Sequence, residues 1–333
     1  MVTPITAELT RFYLAVMRGR LHWALLRWVS AAMFRAALPL VARLPLRQGM
    51  WAAAVLGHMC YWLDLDWRTV ALQDHFVGRR TRLAVAEIAP ELSEIAREVV
   101  VRERFLNASR EELEGHWFAM HRAEECVCEF EGFDAIREHM GRKQGLVLLG
   151  MHFDAALMGV VQLGLAGLKI NLMTSDVVED VRVAPCVQRY FQRKYAGIQA
   201  YLNGGQVMHV ETKLKRFYSA LKQGDGVVIL GEAPTDQLAD AAKIQFFGKR
   251  RAVAPGAFRL AEKTGCPMAA FVCVRVGVGR YKLIFSRIHF ASPEDGHAVN
   301  AQMLFDFLGG QVCMDPGRWW AADQLPNFVN LDN

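Results

Sequence analysis

From residue 145 onward the chain carries short apolar runs set between glycines. Gly145-Leu-Val-Leu-Leu-Gly150 is the first; Leu168–Met173 and Gly226-Val-Val-Ile-Leu-Gly231 repeat it, and Met268–Val276 and the alternating Tyr281–Phe290 follow. A run apolar at every position, and not at every second one, marks a strand covered on both faces, as in a parallel sheet between helices. Helical spacing separates the runs: Val210, Leu214, Phe217 and Leu221 recur at i, i+4, i+7 and i+11. Residues 1 to about 135 read as helical, with charges of mixed sign through Glu91-Leu-Ser-Glu-Ile-Ala-Arg-Glu and a capping box in which Ser109 precedes Glu112 and starts a helix. The pattern predicts an α/β fold: a largely parallel central sheet flanked by helices, with a helical membrane-proximal N-terminal region. The division falls into residues 1–135, helical and rich in arginine and aromatics, and 136–333, the α/β core.

Composition narrows this. With 333 residues, 53% hydrophobic and 22% charged, the chain is too apolar for disorder and too long for a disulfide-stapled miniprotein. Seven cysteines, without a Cys-x-x-Cys pair or a His-Glu-x-x-His motif, point to no metal site and to a reducing, cytosol-facing location. Residues 1–50 hold seven arginines (Arg11, Arg18, Arg20, Arg27, Arg35, Arg43, Arg47) against one acid, Glu8: a net of +6, where the whole chain carries +5. The basicity is therefore an N-terminal property, which argues against a nucleic-acid groove spread through the fold.

Phe12, Tyr13, Trp23, Leu25, Trp28 and Phe34 lie between those arginines. Arginine stems along apolar surface with heads at phosphates, and tryptophan between them, suit a lipid headgroup zone; a basic helical hairpin packed on the core is the other reading. The longest uncharged run there is Gln48–Leu63, sixteen residues, short of the roughly 18 that mark a span.

Ligands of open α/β sheets gather beyond the carboxyl ends of the strands. Two strand ends carry suitable residues: Gly150-Met-His152-Phe-Asp154 and Gly231-Glu232-Ala-Pro234. A histidine so placed can act as a general base near neutral pH. Asp154 precedes a helical stretch and reads as its N-cap or as a partner of His152. Glu232 reads as a carboxylate of the site or as a solvated loop acid.

These pieces resemble a family. Leu148-Leu-Gly-Met-His-Phe153, Glu232 with Ile244-Gln-Phe-Phe-Gly248, Ala254–Ala261, Lys263-Thr-Gly-Cys-Pro267 and Pro316-Gly-Arg-Trp-Trp320 are similar, in order and spacing over roughly 190 residues, to the lipid A biosynthesis lauroyl/myristoyl acyltransferase branch of the lysophospholipid acyltransferase superfamily. The Arg-rich N-terminus with Leu44-Pro-Leu-Arg47 also resembles that family's membrane-proximal region. The resemblance implies transfer of a fatty acyl chain from a thioester, on acyl carrier protein or coenzyme A as co-substrate, to a hydroxyl or amine of a lipid or glycolipid. His152 would be the base and Glu232 part of the acceptor or support shell, with no bound cofactor. Lys249, Arg250 and Arg251 would meet the donor's phosphate or the carrier's acidic helix, or form a solvated basic turn. The implied location is the cytoplasmic face of a bacterial inner membrane, peripheral or monotopic, with the lipid surface as partner.

One position departs. The family's acid stands five residues after the histidine, where this chain has Leu157. Either Asp154 or Glu232 substitutes, or the chain is a catalytically silent lipid- or acyl-binding relative. A soluble acyltransferase working on a small metabolite or carrier-bound chain is a further alternative. Acceptor, chain length and oligomeric state are left open by the sequence.

Overall fold

The computed structural model describes residues 19–332 apart from 236 and 291–295. Arg11, Arg18, Glu8, Phe12 and Tyr13 lie outside the described residues. The chain starts with α1, Gly19–Val41, 23 residues long and apolar enough to cross a bilayer. The sequence reading took this region as helical but counted uncharged runs only, so the arginines scattered through the helix hid how apolar it is on average. Pro39 has no amide hydrogen and its ring would crowd the carbonyl of Arg35; the helix widens to a π turn over Met33–Ala37 just before it. Four helices follow: α2 (Leu46–Leu63), α3 (Trp67–Leu72), α4 (Val77–Ile88) and the long α5 (Glu94–Ala119).

Helix α5 does not start where the capping box placed it. Its N-cap is Ser93, whose hydroxyl accepts from the amide of Ala96 at 3.3 Å. Ser109 is buried mid-helix. Tertiary burial on both sides of α5 carries the helix past a sequence that could equally have started one. Val101 and Phe105 pack with α1, α2 and α4, while Leu113, Trp117 and Phe118 pack under the sheet. The N-terminal helices and the α/β core therefore share one helix.

The helical reading of residues 1–135 stops short as well, because Val127–Glu131 is a strand, β1. It is mostly exposed, and Glu129 and Glu131 break up its apolar Val127, Cys128 and Phe130, so it lacks the continuous apolar run of the inner strands. The elements that follow are α6 (Phe133–Gly141), β2 (Leu146–Gly150), α7 (Ala156–Leu165), β3 (Ile170–Thr174), α8 (Pro185–Tyr201), β4 (Val207–His209), α9 (Val210–Lys222) and β5 (Gly226–Leu230). The hairpin β6 (Ala242–Phe246) and β7 (Lys249–Val253), then α10 (Gly256–Thr264), β8 (Met268–Gly277), β9 (Arg280–Phe285) and α11 (Gly296–Met314) complete the order.

The main sheet has seven strands in the order β1-β9-β8-β2-β5-β3-β4, parallel except where β8 meets β9. The fold is thus α/β with a largely parallel central sheet flanked by helices. Along β2, Val147 and Leu149 face one core with Phe217, Phe258 and Leu308; Leu146 and Leu148 face the other with Val160, Ile198 and Phe271. Alternation between two buried faces is why the strand reads as continuously apolar. Helices α5 and α8 cross closely: a Cβ at Gly197 would lie 2.5 Å from the backbone of Phe118, and one at Gly115 would meet the Tyr190 hydroxyl.

Buried charge ties the ends of the chain together. Asp323, fully buried, takes Arg68 at 2.9 Å and Arg104 at 3.2 Å, while both arginines also reach Asp66. Arg104 donates further to the carbonyl of Trp320 at 2.7 Å. Removing one partner of such a set strands the others in a dry interior. Asp323→Ala is therefore expected to cost about 3 kcal/mol in urea unfolding, and a loss under 1 kcal/mol would show the set to be hydrated.

Candidate active site

His152 follows β2 directly, and Glu232 follows β5, the adjacent parallel strand; Gly150 and Leu230 are register partners. The topology thus places the two side chains at neighbouring carboxyl ends. The Nδ1 of His152 lies 3.0 Å from Oε2 of Glu232. The backbone amide of His152 donates to Oε1, and the Trp319 indole N–H donates to the same oxygen at 2.8 Å. A carboxylate beside Nδ1 favours the tautomer that carries its proton there, leaving Nε2 unprotonated and free to accept one. The imidazole also packs edge-on against Trp320, with ring centres 4.5 Å apart.

Around the ring opens a cavity of about 430 Å³. Its walls are apolar: Leu149, Leu172, Ile229 and Leu230 from three strand ends, with Leu157, Val210, Ala257 and Phe258 from helices. Of its lining hydroxyls, Thr174 donates to the carbonyl of Met208 and Ser175 to Glu211. The third, Tyr195, has no hydrogen-bond partner among the described residues and is kept protonated by burial. The arrangement is an apolar slot with the His152 imidazole and the Glu232 carboxylate at its polar end.

Burial disfavours the charged form of His152. The charge and hydrogen bond of Glu232, with the charge of Glu111 behind it, outweigh that effect and the opposing Lys194, so the imidazole titrates above its ordinary range. Glu111 and Lys194 form a buried ion pair at 2.5 Å between α5 and α8. Glu111 lies inside the stretch the sequence reading took as a helix start; a charged pair buried by two distant helices leaves no local signature.

Asp154 takes neither role the sequence offered it. The N-cap of α7 is Ala155, without a side-chain bond. The carboxylate of Asp154 is turned away from His152: it accepts from the amide and guanidinium of Arg275 and from Arg318 at 2.7 Å. It lines a separate polar cavity with Arg110, Arg275 and Arg318. Its backbone is left-handed, φ 51°, a conformation aspartate tolerates better than most residues. Arg275 in turn holds Glu114 at 2.8 Å, so Asp154 belongs to a structural charge network.

The basic trio also divides. Arg251 is buried; its guanidinium meets Glu87 and the carbonyls of Phe246 and Leu325. Lys249 pairs with the same Glu87 at 2.6 Å. Only Arg250 points an uncommitted side chain outward. None of the three lines the cavity beside His152. Among the described residues no cluster of three His, Cys, Asp or Glu side chains is placed to hold a metal, and all seven cysteines are free.

The family whose description is bacterial lipid A biosynthesis acyltransferase matches residues 74–324, three quarters of the chain. This chain belongs to that family. The match spans both strand-end residues, the hairpin and the Pro316–Trp320 segment. It supports acyl transfer onto lipid-like acceptors in general. A search of curated proteins returned no match.

For this acyltransferase family member the fate of Asp154 can be measured. Asp154→Asn breaks a buried pair and is expected to lower stability by roughly 3 kcal/mol, without moving the titration of His152 followed by NMR. A large shift in that titration would place Asp154 in the site after all.

Proposed function

We propose that this chain moves a fatty acyl group from a thioester donor, acyl carrier protein or coenzyme A, to a hydroxyl or amine of a lipid or glycolipid acceptor. The observation that carries the reading is the His152–Glu232 pair at the polar end of an apolar slot. The unprotonated Nε2 accepts the acceptor's proton as its oxygen or nitrogen attacks the thioester carbonyl. Glu232 stabilises the imidazolium so formed. The tetrahedral intermediate collapses, the C–S bond breaks, and the thiolate leaves with the proton that His152 returns. The acyl chain occupies the slot, and Tyr195 is the lining hydroxyl free to donate to the developing oxyanion.

Leu157, where the family resemblance leads one to expect an acid, is a wall of that slot. In this reading Glu232 does the orienting from the neighbouring strand end. A silent acyl-binding relative is the second reading, and Leu157 is what favours it.

A positioned base contributes about 10² to 10⁴-fold, so His152→Ala is expected to lower kcat by that factor with donor binding intact. Only the neutral ring accepts a proton. The rate should therefore climb with pH through a midpoint above that of an ordinary histidine. Glu232→Gln removes the main charge that raises this midpoint; the acid limb should move to lower pH while the plateau falls. Assays of acyl transfer from labelled carrier or coenzyme A to membrane lipid extract read both effects. Undiminished turnover by His152→Ala would overturn the mechanism, and donor binding without turnover in the wild type would select the silent reading.

The location we propose is the cytoplasmic face of a bacterial inner membrane. In support, α1 exposes Leu21, Leu25 and Trp28, and α2 exposes Trp51, Val55 and Trp62, with Arg20, Arg27, Arg35 and Arg47 also at the surface. Apolar burial is insensitive to salt whereas arginine–phosphate attraction is screened. High salt should release only part of the protein from anionic vesicles, and replacing Trp28, Trp51 and Trp62 by serine should make release by salt complete. Equal binding of that triple variant at high salt would exclude these helices as the lipid contact.

A further inference from the structure

A second cavity, of about 520 Å³, opens where the turn after α1 meets the end of α5 and the outer face of α8. Four of its lining residues are basic: Arg43 from the turn, His116 and His121 from the end of α5, and Arg193 from α8. The rest are small or apolar, Pro39 and Gly197 among them, and no acid lines it. In the interior, Arg68, Arg104, Arg251 and Arg275 pair with carboxylates. At this cavity the exposed Arg43 and Arg193 have neither an ion pair nor a hydrogen-bond partner among the described residues. The wall also holds an unmet polar atom. His116 is 8% exposed, and its Nε2 is buried without a hydrogen-bond partner. An unpaired buried nitrogen is costly, and a small turn of the His116 ring, which packs against Tyr190, would bring it to the cavity.

We infer that this cavity binds a phosphate group, held by Arg43 and Arg193 with His116 as the neutral donor on its inner wall. The chemistry follows from the donors. Two guanidiniums present forked N–H pairs suited to phosphate oxygens, and His116 can turn either ring nitrogen into a donor at no cost in charge. Burial and the nearby Arg193 and Lys194 hold His116 well below the ordinary range, at about 4, so it is neutral at pH 7. Helix α5 ends here, presenting carbonyls and not amides; the side chains therefore supply the attraction. The site is distinct from the acyl slot but shares α8 with it, since Tyr195 lines one cavity and Arg193 the other. Exposed Leu40 and Leu44 flank Arg43 on the chain, so the phosphate can come from a lipid headgroup or from a free solute.

The test measures binding and needs no turnover, which separates it from the proposed acyl transfer. Full-length protein in mild detergent is titrated with dihexanoyl phosphatidic acid below its micelle concentration, with dihexanoyl glycerol, and with inorganic phosphate, by calorimetry at low salt. Saturable binding of phosphatidic acid and not of the glycerol is expected. Loss of one charge-assisted contact corresponds to roughly tenfold, so Arg193→Gln and Arg43→Gln should each weaken binding about that much, and His152→Ala should not. Both arginines are exposed, and unchanged circular dichroism of the variants certifies the fold. Equal affinity for inorganic phosphate assigns the site to a free solute, and preference for phosphatidic acid assigns it to a headgroup. No binding by any phosphate probe, or binding unchanged in both arginine variants, overturns the site.

Discussion

The Glu232 carboxylate holds three donors: the amide and Nδ1 of His152, and the indole of Trp319. A buried carboxylate is tolerated only when its oxygens are met, and here meeting them fixes the imidazole. The amide contact fixes the loop after β2, the Nδ1 contact fixes the ring's tautomer, and the indole closes the remaining side. One residue thereby does the work of an orienting acid from the neighbouring strand, because parallel pairing of β2 and β5 sets the two strand ends level.

The Pro316–Trp320 segment carries this constraint outward. Arg318 reaches Asp154, Trp319 reaches Glu232, and the amide of Trp320 donates to the carbonyl of His152 at 3.2 Å. From its other side Asn107 and Arg104 of α5 hold the carbonyls of Gly317 and Trp320. The segment is therefore clamped between the strand-end loop and the helix that also packs against α1 and α2. The N-terminal helices, the sheet and the site meet through α5 and this strap.

What the sequence made legible follows the kind of signal each part emits. Strands β2 and β5 were readable because burial on both faces leaves no polar letter in them, and β3 and β8 nearly so, Asn171 and Thr174 in the one and Arg275 in the other being the exceptions. Strand β1, exposed at the sheet edge and interrupted by Glu129 and Glu131, and the three-residue β4 emit nothing of the sort. Ser109 misled because a capping box is local and α5 is stabilised by distant packing. His152 and Glu232 stood out as polar residues closing apolar runs. Asp154 stood out for the same reason, yet its partners Arg275 and Arg318 are more than a hundred residues away, and only the fold shows that they claim it. Glu111 and Lys194 were hidden likewise, and of Trp319 the sequence showed the segment but not its contact with Glu232, which spacing does not encode.

The strap has a consequence for the order in which the molecule is made. His152 and Glu232 are synthesised well before Trp319, which completes the carboxylate's donors from 87 residues further on. A nascent chain can pair β2 with β5 and bring His152 and Glu232 together, but the indole side of Glu232 stays open to water until the Pro316–Trp320 segment arrives. Until then the imidazole lacks the packing of Trp320, and the loop after β2 lacks its anchors. The site is thus complete only once the Pro316–Trp320 segment has been made and folded back, well after the two strands that carry its central residues.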